Sequence, residues 1–155
     1  MQVMPIVYIG IGSNLGSREE NCIRSVRLLR DSGLTIKKES SLYKTEPWGV
    51  TDQPYFVNMA VGAETSMKPE ELLETLKAIE RQMGRKEAGK WGPRIIDLDI
   101  LLHDDLVIRT PELCIPHPLM HRREFVLRPL SEIAPDILHP LLKKTISALL
   151  SEIKP

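Results

Sequence analysis

Net charge is what this chain most plainly lacks: 21 lysines and arginines are balanced by 21 aspartates and glutamates. A balanced chain has no global electrostatic footprint for nucleic acid or for an acidic membrane surface, so any work done by charge is local. Cysteine is scarce as well. Cys22 and Cys114 lie far apart without metal-type spacing, and nothing suggests secretion, so both are expected as reduced thiols in a cytoplasmic protein. No apolar run approaches the ~20 residues of a membrane span. Met1-Gln2-Val3-Met4-Pro5 lacks the basic and apolar regions of a signal peptide. Internal repeats, low-complexity tracts and composition breaks are also missing, so 155 residues suit one domain over 1–155 with room for a proper core.

Proline, by contrast, is plentiful. The 12 prolines gather between Glu46 and Pro54 and between Pro111 and Pro140, where interspersed apolar residues point to ordered functional loops rather than disorder. Between these loops the hydrophobic pattern alternates in period. Ile6 to Ile11 is a strand; Ser17-Arg18-Glu19-Glu20 is a capping box opening a helix that turns Ile23, Val26, Leu28 and Leu29 to the core. Thr35 to Tyr43 and Phe56 to Glu64 are strands. Ser66 to Met83 is a helix with Pro69 in its first turn and Leu72, Leu73, Leu76, Ile79 and Met83 on one face. Ile95 to Leu102 and Leu106 to Ile108 are strands, and helices follow around Arg123 to Glu132 and Thr145 to Ile153. The order β-α-β-β-α-β with helical extensions predicts an α+β, ferredoxin-like split βαβ, an antiparallel sheet with helices on one face.

The chemistry concentrates on one strand. Alternate side chains share a face, so Asp97 and Asp99 must point the same way while Ile96, Leu98 and Ile100 point into a core. The pair is either a solvated edge-strand pair or a cation site; the apolar neighbours favour the cation, and hard oxygen ligands suit Mg²⁺. Just upstream a loop carries Arg85, Lys86, Lys90 and Arg94, which suits a polyanion, with arginine offering a fork and lysine a point charge. Trp91 between them is either a core anchor or a wall for a flat ligand. His117, between Pro116 and Pro118, either hydrogen-bonds phosphate or simply occupies a turn; no zinc-type spacing is met. Asn58, inside an apolar strand, either pairs with backbone or reads a heteroaromatic edge. Trp48, Tyr55, Phe56 and Phe125 either wall such a ligand or belong to the core. Gly10-Ile11-Gly12-Ser13-Asn14-Leu15-Gly16 has three residues where the dinucleotide fingerprint has two and no P-loop lysine, so it is expected to be a tight strand-to-helix turn.

Together these pieces resemble one family. Gly10 to Gly16, Tyr43-Lys44-Thr45-Glu46-Pro47-Trp48-Gly49, Asp52 to Asn58, Glu80 to Arg85, Trp91-Gly92-Pro93-Arg94-Ile95-Ile96-Asp97-Leu98-Asp99-Ile100, Ile115 to Pro118 and Arg123 to Leu130 look like 6-hydroxymethyl-7,8-dihydropterin pyrophosphokinase, in order and over nearly the whole chain. The length suits a stand-alone enzyme rather than a fusion. The resemblance implies a transferase moving pyrophosphate from ATP to the hydroxymethyl group of a reduced pterin, releasing AMP, in folate biosynthesis. It implies small-molecule substrates only and a monomer. Asp97 and Asp99 would hold two Mg²⁺ ions and, with Arg94 and Arg123, form the catalytic set. Glu80, Arg85, Lys90, Trp91, Ile100 and His117 join Arg94 and Arg123 on the ATP side. Thr45, Glu46, Pro47, Trp48, Phe56, Asn58 and Phe125 seat the pterin.

Lys90 stands where the family pattern has arginine, Phe56 and Pro118 replace tyrosines, and the loop from Arg85 to Arg94 is one residue shorter, leaving Lys86 without an assigned partner. Two readings of other classes compete: a non-catalytic nucleotide- or metal-binding regulatory domain, and an RNA-binding module, which the missing aromatic pair and zero net charge disfavour.

Overall fold

The structure, a computed structural model, describes residues 4–45, 55–85 and 94–153. Through these residues the chain runs β1 (Ile6–Ser13), α1 (Arg18–Asp31), β2 (Thr35–Glu39), β3 (Tyr43–Thr45), β4 (Phe56–Glu64), α2 (Pro69–Gln82), β5 (Asp97–His103), β6 (Ile108–Arg109), β7 (Cys114–Ile115), a 3-10 turn at Met120–Arg122, α3 (Glu124–Ile133) and α4 (Ile146–Ser151). The main sheet has the order β2-β4-β1-β5 with every pair antiparallel. β3 pairs with the first half of β4 while β2 pairs with its second half. β6 and β7 form a small separate sheet.

The strand expected over 35–43 is therefore two strands. Ser40 explains the break: its N–H donates to the Ala60 carbonyl at 2.9 Å, and its Oγ accepts the Ala60 N–H at 2.9 Å. A side chain takes over one rung of the ladder there, and the chain restarts at Tyr43.

Apolar alternation on β1 and β5 decides the layering. Val7, Ile9, Ile11, Leu98 and Ile100 pack with Cys22, Val26 and Leu29 of α1 and Leu72, Leu76 and Ile79 of α2 in one buried cluster. The other face is not bare, as a sheet with helices on one side would leave it. Tyr8, Ala60, Leu101 and Leu102 pack there against Leu127, Leu130 and Ile133 of α3 and Ile146 and Leu149 of α4. β4 is buried on both faces through most of its length, which is why its residues, Asn58 apart, form an apolar run rather than an alternating one.

Two local expectations fail. The capping box on α1 does not form, because Ser17 (φ −79°, ψ 81°) departs from the extended conformation that aims an N-cap hydroxyl along the helix. Ile23 is 53% exposed, and fully buried Cys22 stands on the core face in its place; Val26, Leu28 and Leu29 turn to the core as expected. The last helix behaves as expected at its start, where Thr145 Oγ1 accepts the Ala148 N–H at 3.1 Å.

Tyr8 lies directly opposite Gly62 in the β1–β4 ladder, and a Cβ on Gly62 would come within 2.9 Å of the Tyr8 ring. Gly62→Ala is expected to lower stability by about 1–3 kcal/mol through overpacking. Urea unfolding checks it: a lower midpoint with unchanged slope is the expected result, and a wild-type midpoint would mean that the ring moves aside freely.

Candidate active site

α3 and α4 cover only part of the second sheet face, and the uncovered part is the floor of a cavity of about 420 Å³, a size that suits small-molecule substrates. The register sets that floor. Gly12 pairs with Asn58 on one side and Asp97 on the other; Gly10 pairs with Ala60 and Asp99. Directly opposed residues share a face, so Asn58 and the two acids stand on one surface with bare backbone between them. Any side chain at 12 would collide with this arrangement, since a Cβ there would lie 2.8 Å from Asn58 Oδ1.

On the acidic side the geometry is a managed repulsion. Burial, then the charges of Asp97 and Glu80, push the Asp99 carboxyl up to about 8, while Arg123 and Arg85 pull it back. Glu80, on α2, is itself raised by burial, against the Leu98 amide and Arg85. Its Oε2 accepts the Leu98 N–H at 2.8 Å, between the two acids, and holds Arg85 Nη1 at 2.7 Å. The same Arg85 nitrogen lies 3.3 Å from Asp97 Oδ1, and Arg94 Nη1 lies 3.7 Å from Asp97 Oδ2. Carboxylate oxygens held together against their own charge are the donor set a hard divalent cation needs, so Asp97 and Asp99 fit Mg²⁺. Among the described residues no group of three or more Asp, Glu, His or Cys is placed to hold a metal ion.

Of the stretch Gly10 to Gly16 expected as a turn, Gly10 to Ser13 belong to β1 and only the residues after them turn; that turn has a partner. Asn14, fully buried, accepts the Arg94 N–H through Oδ1 at 2.7 Å, and its own N–H donates to the Arg94 carbonyl at 3.0 Å. Asn21 braces the same loop, donating to the Leu15 carbonyl at 2.9 Å. Arg94 is thus held at the head of β5 by a reciprocal backbone clamp.

The remaining walls come from the segment after β7 and from α3. β5 carries a register shift opposite Tyr8 and Ile9, and the Leu101 carbonyl there accepts the His117 N–H at 3.1 Å. His117 Nδ1 accepts the Leu119 N–H at 3.2 Å, so the ring's proton sits on Nε2. Burial, then Arg123, lowers this imidazole to about 4, against Asp97, so it is neutral near pH 7. Arg123 is the N-cap residue of α3, with its guanidinium 5.6 Å from the Phe125 ring centre. Across from them, Asn58 Nδ2 donates to Thr45 Oγ1 at 2.7 Å, which fixes the amide and leaves Oδ1 as the acceptor over Gly12.

Of the residues singled out from sequence, Thr45, Phe56, Asn58, Glu80, Arg85, Arg94, Asp97, Asp99, His117, Arg123 and Phe125 all line this one cavity. Ile100 does not: its side chain is buried in the core on the opposite sheet face, as its place in the alternation requires. Glu46, Pro47, Trp48, Lys86, Lys90 and Trp91 lie outside the described residues. Gly10 and Gly12, which make the floor, and Leu73, Leu76 and Lys77 of α2, which line the cavity near Glu80, escaped the sequence reading. The glycines carried a signal: two of them at alternate positions of an apolar strand leave one face bare. The α2 residues carried none, because leucines on a helix face look like core.

Comparison with known proteins shows which family the chain belongs to. The chain is 44% identical over 152 residues to the 2-amino-4-hydroxy-6-hydroxymethyldihydropteridine pyrophosphokinase of Aquifex aeolicus, covering 98% of this chain and 92% of that one. It is 47% identical over 133 residues to the Bacillus subtilis protein of the same name, covering 85% and 80%. The fold is similar to that of Plasmodium falciparum HPPK-DHPS crystallised with pteroate, with a TM-score of 0.79 at 18% identity, over 98% of this chain and 43% of that longer one. Residues 8–135 match the family described as 7,8-dihydro-6-hydroxymethylpterin-pyrophosphokinase, and the chain belongs to that family.

Proposed function

We propose that the two sides of the cavity divide the family's two substrates between them, ATP beside β5 and α2, and 6-hydroxymethyl-7,8-dihydropterin between β3, β4 and α3. The reaction moves the pyrophosphoryl group of ATP to the pterin hydroxymethyl oxygen, giving AMP and the pterin diphosphate in folate synthesis. The observation that carries the division is the register: Asn58 and the acid pair face the same space across Gly10 and Gly12.

A pterin is flat and has N–H donors along one edge. The bare floor admits a flat ring, Asn58 Oδ1 accepts one of those N–H groups, and Phe125 offers it an apolar wall. The fixed amide also discriminates, since a ring lacking that donor would leave a buried acceptor unpaired. On the nucleotide side, Arg85, Arg94 and Arg123 bind phosphate oxygens, Leu73 and Lys77 border the nucleoside, and His117 donates through Nε2 without adding charge. Asp97 and Asp99 would hold Mg²⁺, which would supply positive charge to the phosphates and acidify the attacking hydroxyl. The residues themselves do no covalent work. They hold the hydroxymethyl oxygen in line with the β-phosphorus and supply charge where the transferring group develops it. The protein acts as a single pyrophosphokinase domain, a cytoplasmic monomer; its free Cys22 and Cys114 suit a reducing compartment.

An assay coupled to AMP tests the reading directly: AMP should appear only with ATP, Mg²⁺ and hydroxymethyl-dihydropterin together. Asp97→Ala and Asp99→Ala should each cut turnover by about 10²–10³-fold while the protein remains folded. Near-normal turnover at saturating Mg²⁺ in either variant would sink the metal assignment.

His117 yields a pH prediction. The unfolded imidazole takes up its proton near its ordinary pKa of ~6.5, the folded one near 4. Between those values the unfolded state binds more protons, so stability falls as pH is lowered through that window. Chemical denaturation at stepped pH should show this slope in the wild type and a shallower one in His117→Gln; identical slopes would place the imidazole outside the buried wall.

A further inference from the structure

Glu132 has no local reason to be where it is. It sits on the surface in the last turn of α3, where a negative charge opposes the helix dipole, and it lines neither the core nor the cavity. Yet its carboxylate accepts four hydrogen bonds. It accepts the Ser41 N–H on both oxygens, at 3.0 and 3.1 Å, the Ser41 hydroxyl at 3.2 Å and the Tyr43 hydroxyl at 2.5 Å. The Tyr43 bond holds this carboxyl below its ordinary range. Each of these partners is on or just before β3.

β3 needs such a hold. It is three residues long and makes its ladder with β4 alone. In that ladder Tyr43 lies opposite Asn58 and Thr45 opposite Phe56, and Thr45 Oγ1 fixes the Asn58 amide. At the other end of α3, about 10 Å away at 1.5 Å per residue, stand Arg123 and Phe125. α3 is therefore a strut between the two walls that face each other across the pterin side of the cavity.

We propose that Glu132 is a positioning residue for the pterin seat, setting the separation of Phe125 on α3 from Thr45 and Asn58 on β3 and β4 through its bonds to Tyr43 and Ser41. The inference rests on the assignment of Asn58 and Phe125 to the pterin given above. It acts mainly on the pterin: Arg85, Arg94 and the acid pair are carried by α2, β5 and the segment clamped by the Asn14 loop, and of the phosphate-binding groups only Arg123 stands on α3.

Equilibrium binding of 6-hydroxymethylpterin and of a non-hydrolysable Mg-ATP analogue, measured separately, tests this in Glu132→Ala, Tyr43→Phe and the double variant. Tyr43→Phe removes one half-exposed hydroxyl and keeps the ring, so it remains folded even if Glu132→Ala does not. The expected result is a pterin Kd raised about five- to tenfold in Glu132→Ala and less in Tyr43→Phe, with the analogue's Kd raised about twofold at most, since only Arg123 of its ligands rides on α3. The double variant should be no worse than Glu132→Ala, because the Tyr43 bond is lost in both. Equal weakening of both ligands, which a purely structural role would give, or an unchanged pterin Kd in both single variants overturns the proposal. Asn58→Ala separates this from the seat itself: if it loses pterin while the Glu132 and Tyr43 variants keep it, only the latch fails, and if it binds pterin like wild type, the seat assignment fails and takes the latch with it.

Discussion

The repulsion between Asp97 and Asp99 is the constraint around which the rest of this molecule is arranged. Two carboxylates at alternate positions of an apolar strand are unfavourable neighbours, and burial makes them more so. The protein does not relieve this by separating them. It surrounds them with positive charge that is itself held in place: Arg85 by Glu80, Arg94 by the Asn14 clamp, Arg123 at the head of α3. A hard divalent cation is the group that would neutralise such a pair, which is why these residues fit one.

Glu80 shows how tightly the arrangement is coupled. A single carboxylate on α2 takes the backbone N–H of Leu98, the residue between the two acids, and anchors Arg85 over Asp97. It is a third negative charge near the pair and raises Asp99 further, yet its hydrogen bond fixes the strand that carries both. The cost is electrostatic and the return is geometric. Neutral His117 fits the same logic from the other wall, since it contributes a donor without disturbing the charge balance that Arg123 and Asp97 already set.

Much of this was legible in the chain because it depends on short-range periodicity. The long amphipathic pattern of α2, the apolar run of β4 and the shared face of Asp97 and Asp99 all follow from positions a few residues apart. Where local signals misled, a tertiary partner had outbid them. Ser17 offered a capping box, but the backbone leaving the Asn14 loop enters the helix at the wrong angle. Thr35 to Tyr43 looked like one strand until Ser40 exchanged bonds with Ala60. The helical extensions were visible, but not that they would close part of the second sheet face and leave the rest open as a cavity.

What the sequence by itself determined is the kind of chemistry: acids on one strand face, bases in the loop before it, and a run of motifs that places the chain among the dihydropterin pyrophosphokinases. A strand's alternation and a motif's residues are local properties, carried by the chain wherever it folds. Which groups meet was decided only by the tertiary structure. Gly12 comes to lie between Asn58 and Asp97, and Tyr43 meets Glu132 across 89 residues of chain. Those distances are set by strand register and helix docking, which arise from burying two apolar faces of one sheet at once, and no short stretch of the chain contains them.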